Sequence, residues 1–160
     1  MRAQRSNAKS APRSAKKNER LKLGQPERGM ALIMASSPRD QKLRSWEIAQ
    51  ALEIKPALDV ERLARAFQHI VHLHPRLRAV YHVADGEVSG RLLPAEDFQL
   101  QVWDASALPE AEFLAQLQAR ADQPWDLARG PLIEITAILR PRKRMVLLLR
   151  VNHLLIDGWS

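Results

Sequence analysis

The stretch PLIEITAILRPRKRMVLLLRVNHLLIDGWS, residues 131–160, holds two apolar runs joined by the basic turn RPRK and ends in a polar loop. PLIEITAIL and RMVLLLRV both read as strands. The second stays apolar for several residues in succession, as expected of a strand buried on both faces. It delivers the chain to His153, and Asp157 and Gly158 follow four positions later. A fold that buries such a strand needs layers on both of its sides.

Working outward, the rest of the chain supplies them. In LRSWEIAQALEI, Trp46, Ile48, Leu52 and Ile54 fall on alternate positions, with Gln50 breaking the set, and this predicts a strand of about ten residues. KPALD follows as a turn in which Asp59 is placed to cap the next element. From Val60 to His72, the residues Leu63, Phe67, Ile70 and Val71 recur at helical spacing, while Glu61, Arg62 and Arg65 lie off that stripe. Pro75 ends this helix. LRAVYHV reads as a strand, ADGEVSG as a hairpin turn and RLLP as the start of the return strand. FQLQVWD alternates strictly. A second amphipathic helix is expected from about Pro109 to Asp122, with Phe113, Leu114 and Leu117 as its stripe. Strands and helices interleave with no internal repeat. The expectation is an α/β class, an α+β sandwich whose central strand feeds the terminal loop.

Composition narrows the function classes. The chain has 160 residues, 46% hydrophobic and 27% charged, ordinary for a globular protein. It contains no cysteine, which excludes disulfides and thiolate metal sites. No apolar run approaches the ~20 residues of a membrane span, so no membrane association is expected. The net charge of +7 is confined to the front. Residues 1–29 carry nine Lys/Arg against Glu19 and Glu27, and the other 131 residues carry 16 basic and 16 acidic side chains. Residues 1–22 therefore read as a disordered basic leader and 23–160 as the folded unit. With the folded part neutral and no recognition motif present, nucleic acid is not an expected partner.

The terminal loop concentrates the chemistry. A His-x-x-x-Asp-Gly match arises by chance in a chain of this length on the order of once in a hundred. Serine-hydrolase chemistry lacks its G-x-S-x-G elbow. His69, His72, His74 and His82 offer no set flanked by carboxylates at ligand spacing, so no metal is expected. What remains is proton handling or positioning by one imidazole, against the bland alternative of a hydrogen-bonding histidine at a strand end.

Four blocks in order resemble the condensation domains of nonribosomal peptide synthetases. NHLLIDGWS is similar to the family's His-His-x-x-x-Asp-Gly core motif, including the Trp-Ser that often follows. LGQPERGMAL is similar to its opening motif through Leu23, Gly29 and Met30. HPRLRAVY resembles the second motif, Arg-His-Glu-x-Leu-Arg-Thr-x-Phe, through His74, Leu77, Arg78 and the aromatic Tyr81. QPWDLARGPLIEITAIL resembles the segment Pro-Phe-Asp-Leu-x-x-Gly-Pro-Leu, with Trp125 where Phe is usual. The resemblance runs from about Leu23 to Ser160. It departs at Asn152, where the family has the first histidine, and at Leu73 and Pro75, where it has Arg and Glu.

The resemblance implies a two-lobed protein with chloramphenicol-acetyltransferase-like lobes and an active site on the tunnel between them. This chain would be the N-terminal lobe, ending just past the active-site motif, with the second lobe as a partner and little activity of its own. Carrier-protein domains would deliver small-molecule acyl or peptidyl and aminoacyl thioesters on phosphopantetheine, with no cofactor bound directly. His153 matches the active-site histidine. Asp157 matches a residue that holds the loop through an arginine, for which Arg78 is the candidate, and Gly158 allows close approach of the backbone. Asn152 hydrogen-bonds but cannot titrate. A cytoplasmic location goes with the resemblance. The alternatives are an acyltransferase of the same superfamily, of the wax ester synthase or polyketide-associated type, and a non-catalytic lobe that docks carrier proteins.

Overall fold

The computed structural model describes residues 20–36 and 47–156. Its seven strands and three helices run in the order β1 (Arg20–Leu21), α1 (Gln25–Ser36), β2 (Glu47–Ile54), α2 (Val60–Leu73), β3 (Ala79–Ala84), β4 (Glu87–Leu92), β5 (Gln101–Asp104), α3 (Glu110–Ala121), β6 (Ile133–Arg140) and β7 (Arg144–Asn152). The strands form two sheets, one of order β2-β7-β6-β5 and one of order β1-β4-β3. In the larger sheet β7 is antiparallel to both neighbours, and β5 runs parallel to β6.

The apolar run Met145–Leu149 within β7 has the physical reason expected of it. Side chains alternate across a strand, and here both faces are covered. Leu149 and Val151 join the main core with Ile133 and Ile135 of β6, Phe67 and Val71 of α2, and Val80, Tyr81, Leu132 and Leu154. Val146 and Leu148 face the opposite way, into a second cluster with Ile138, Ala105 and Phe113 of α3. Two buried arginines close the ends of that second layer. Arg140 donates to the carbonyl of Ala105 at 2.6 Å and to Glu110 at 2.7 Å, with its guanidinium over the Phe113 ring. Arg150 pairs with Glu134 at 2.7 Å, donates to the Gln123 carbonyl and stacks over Trp125. Each charge is thereby matched by a carboxylate and a carbonyl, which burial at this depth requires.

The second helix forms as its sequence indicates. Asp59 accepts from the Arg62 amide at 2.7 Å as the N-cap, and Phe67 and Val71 are its buried residues. After it Pro75–Arg78 form a short 3-10 helix, so β3 begins at Ala79, two residues later than the sequence suggests. The hairpin turn is only Asp85–Gly86, both at positive φ, and Glu87–Gly90 already belong to the return strand. In α3 Phe113 is buried, but Leu114 is 53% exposed. The strand expected within LRSWEIAQALEI is present as β2, an edge strand with Leu52 exposed; Trp46 lies outside the described residues. Of the expected leader, residues 1–19 lie outside the described part, whereas Arg20 and Leu21 pair with Arg91 and Gly90. Among the described residues no helix is long and apolar enough to cross a membrane.

Candidate active site

Strand β7 ends at Asn152, and the chain turns there. Asn152 is completely buried, and its amide donates to the Leu132 carbonyl at 2.9 Å. Its side-chain oxygen accepts from the Leu154 amide at 3.0 Å, and its own carbonyl accepts from the Leu155 amide at 3.0 Å. This is a side-chain-closed turn of the type short amide side chains make. A fourth bond comes from across the fold, where the buried Tyr81 hydroxyl donates to the Leu154 carbonyl at 3.2 Å. His153, half-buried, is the residue this turn holds up.

His153 borders a cavity of about 610 Å³. Pro26, Glu27 and Met30 of α1 line one side of it, His74, Arg76 and Leu77 another, and residues 153–156 the third. Glu27 is fixed in this wall by the Gly24 amide at 2.7 Å and by an ion pair with Arg76. Burial pushes the Tyr81 phenol up to about 12; Glu27 adds to the rise and Arg76 opposes it. The wall thus sets one half-buried imidazole beside apolar surface and a carboxylate already matched to a guanidinium. Such a site can position a small nucleophile and handle one proton.

Of the residues marked in the sequence, the structure places Asn152 and His153 together at this turn. Arg78 does not line this cavity; it ends the short 3-10 helix Pro75–Arg78 and donates to the Leu93 carbonyl at 2.8 Å, with its Nε buried and unpartnered among the described residues. Asp157 and Gly158 lie outside the described residues. Sequence reasoning missed Glu27 and Arg76 as wall residues, and it took Tyr81 only as an aromatic. The signal for the wall was the block LGQPERGMAL, whose helical form brings Glu27 and Met30 to the cavity.

A family model described as "Condensation domain" matches residues 33–160. The chain belongs to the condensation-domain family. Its matched relatives include chondramide synthase cmdD of Chondromyces crocatus, 34% identical over 108 residues, which are 64% of this chain and 3% of that protein. Tyrocidine synthase 3 of Brevibacillus parabrevis is 27% identical over 116 residues, 72% of this chain and 2% of that protein. The chain therefore spans only a few per cent of the length of these synthetases. Among solved structures, the starter condensation domain of the rhizomide synthetase RzmA, in a mutant form, matches with a TM-score of 0.72 at 20% identity. The first condensation domain of the calcium-dependent antibiotic synthetase, bound to a substrate analogue, matches with a TM-score of 0.69 at 24% identity. Each alignment covers 88% of this chain and 34% of the other. At these identities the likeness establishes the condensation-domain fold, one chloramphenicol-acetyltransferase-like lobe of it.

Proposed function

We propose that this chain provides the histidine-bearing wall of a condensation site that joins two carrier-bound thioesters through an amide bond. The nitrogen of an aminoacyl acceptor attacks the carbonyl carbon of the donor thioester. The C–N bond forms, the C–S bond breaks, and the amine proton leaves as the donor thiol is freed. His153 accepts that proton or holds the amine in line for attack. By the family motif, Asp157 is assigned to Arg78 as its anchoring cation and Gly158 to close approach of the backbone, and Asn152 closes the turn before His153. The phosphopantetheine arms of carrier domains present both substrates, and a second lobe supplies the facing wall. A cytoplasmic location belongs to the same reading.

One observation carries the proposal: in a chain whose residues 33–160 match the condensation-domain family, β7 leads directly to His153 at the edge of a cavity of about 610 Å³. In a protein joining this chain to the remainder of a condensation domain, His153→Ala lowers amide formation by about 10² to 10⁴-fold, the usual contribution of general acid–base catalysis. Carrier loading and folding stay intact. If His153→Ala keeps most of the activity, the site does not act through this imidazole. The second reading, a lobe that docks carriers without catalysis, is favoured by Asn152 at the family's first histidine, and it then takes first place.

A further inference from the structure

A second cavity of about 450 Å³ shares no lining residue with the one beside His153. Among the described residues its polar lining is Arg20, Arg28, Arg91, His82 and Ser89, with no aspartate or glutamate. The arrangement follows from strand register. Arg20 of β1 is directly opposite Arg91 of β4, and Ser89, two residues before Arg91 and so on the same face, is directly opposite His82 of β3. Like charges directly opposed on a sheet are destabilising. No described carboxylate forms an ion pair with Arg20, Arg28 or Arg91; the ion pairs of the described residues all involve other cations.

Two of these guanidiniums are also tethered. Arg91 donates one N–H to the Ala128 carbonyl at 3.3 Å, and Arg28 donates one to the Val88 carbonyl at 3.5 Å. A guanidinium has five N–H donors, so each is oriented while keeping most of its donors for something else. Planar forks held in this way match phosphate oxygens in pairs, and repulsion among the cations turns into attraction once a dianion sits between them. The Ser89 hydroxyl and the His82 ring add donors on the same face.

We propose that this cavity is an anion site that takes a phosphate group, bound between Arg20, Arg28 and Arg91. The phosphate is either free or the end of an organic ester. Titrating the full chain at low ionic strength with inorganic phosphate and, separately, with phenyl phosphate distinguishes the two sources: an ester site binds the ester more tightly, and a free-phosphate site does not. Saturable binding at one site per chain is expected. Arg20→Gln/Arg91→Gln weakens it by about tenfold or more, whereas Lys16→Gln/Lys17→Gln, which lowers the charge of the basic N-terminal stretch alone, leaves it unchanged. Without phosphate the arginine double variant melts at the same or a higher temperature than the parent, because opposed like charges are removed. With phosphate only the parent gains in Tm. Non-saturable binding, or equal weakening in the two double variants, overturns the site. So does a lower Tm of the arginine variant in the absence of phosphate, which would make these arginines structural.

Discussion

The phenol of Tyr81 donates to the carbonyl of Leu154 at 3.2 Å, tying the three-stranded sheet to the turn that carries His153. The same residue's amide donates to the Leu127 carbonyl at 2.7 Å, so Tyr81 also binds the WDLARGPL segment. The family's second motif has Phe at this place. The hydroxyl is therefore an addition to a ring that packs without it, and its effect can be isolated by removing one atom.

Tyr81→Phe is expected to fold and to lose about 1–2 kcal/mol, the cost of leaving a buried carbonyl short of a partner. The change also has a pH signature. The folded value of about 12 lies above the ordinary value of 10, so the folded state holds the phenol proton more tightly than the unfolded chain does. This contribution is fully present below about pH 10 and is lost as the pH rises toward 12. Unfolding free energies of the two proteins across that interval measure it, the parent falling more steeply than the variant. Tyr81 is the single tyrosine, so phenolate absorbance follows it directly. A midpoint at the ordinary value would refute the burial of the phenol.

Asn152 closes the turn through its side-chain oxygen, and an acceptor at that place is what the Leu154 amide requires. Asn152→Ala is expected to cost about 1–3 kcal/mol, because the buried amide loses its partner. Asn152→His restores the family's residue and offers a ring nitrogen as acceptor in the same position, so its stability should stay closer to the parent's. Urea denaturation of the three proteins ranks them. A histidine variant less stable than the alanine variant would show that the site has no room for a ring.

Gly130 stands at φ +60°, and a Cβ placed on it would come within 2.5 Å of Val80 Cγ1. Both the backbone conformation and the space exclude a side chain. Gly130→Ala is expected to destabilise by about 2–4 kcal/mol, the sum of an unfavourable φ and a forced shift in the core. Thermal melts read this, and Gly86→Ala is the comparison. Gly86 also has positive φ, at +75°, but nothing lies within 4 Å of its added Cβ. Equal losses in the two variants would mean that Val80 yields at no cost.

Much of the architecture was legible because it is encoded locally. Phe67 and Val71 recur at helical spacing behind an aspartate cap, Asp85–Gly86 provides the two positive φ angles of a tight hairpin, and β7 is apolar on both faces. The helix α1 was not legible in this way. Its apolar residues run consecutively from Met30 to Met34, so no stripe distinguishes it, and only Ala31 is buried. The strand β1 is two residues long and exists through its pairing with β4.

By itself the sequence determined the class of fold and the membership of the condensation-domain family through four ordered motif blocks, and it singled out His153 as the candidate for the chemistry. Tertiary structure decided what surrounds that histidine, the Tyr81 hydroxyl beneath the turn and Glu27 and Arg76 in the cavity wall, and separately it set the opposed arginines of the second cavity. The division has one cause. Helix periods, caps and turns depend on neighbours a few residues apart, whereas Tyr81 meets Leu154 across 73 positions and Arg20 meets Arg91 only through strand register. Contacts of that range leave no period in the chain, and only the packed fold brings them together.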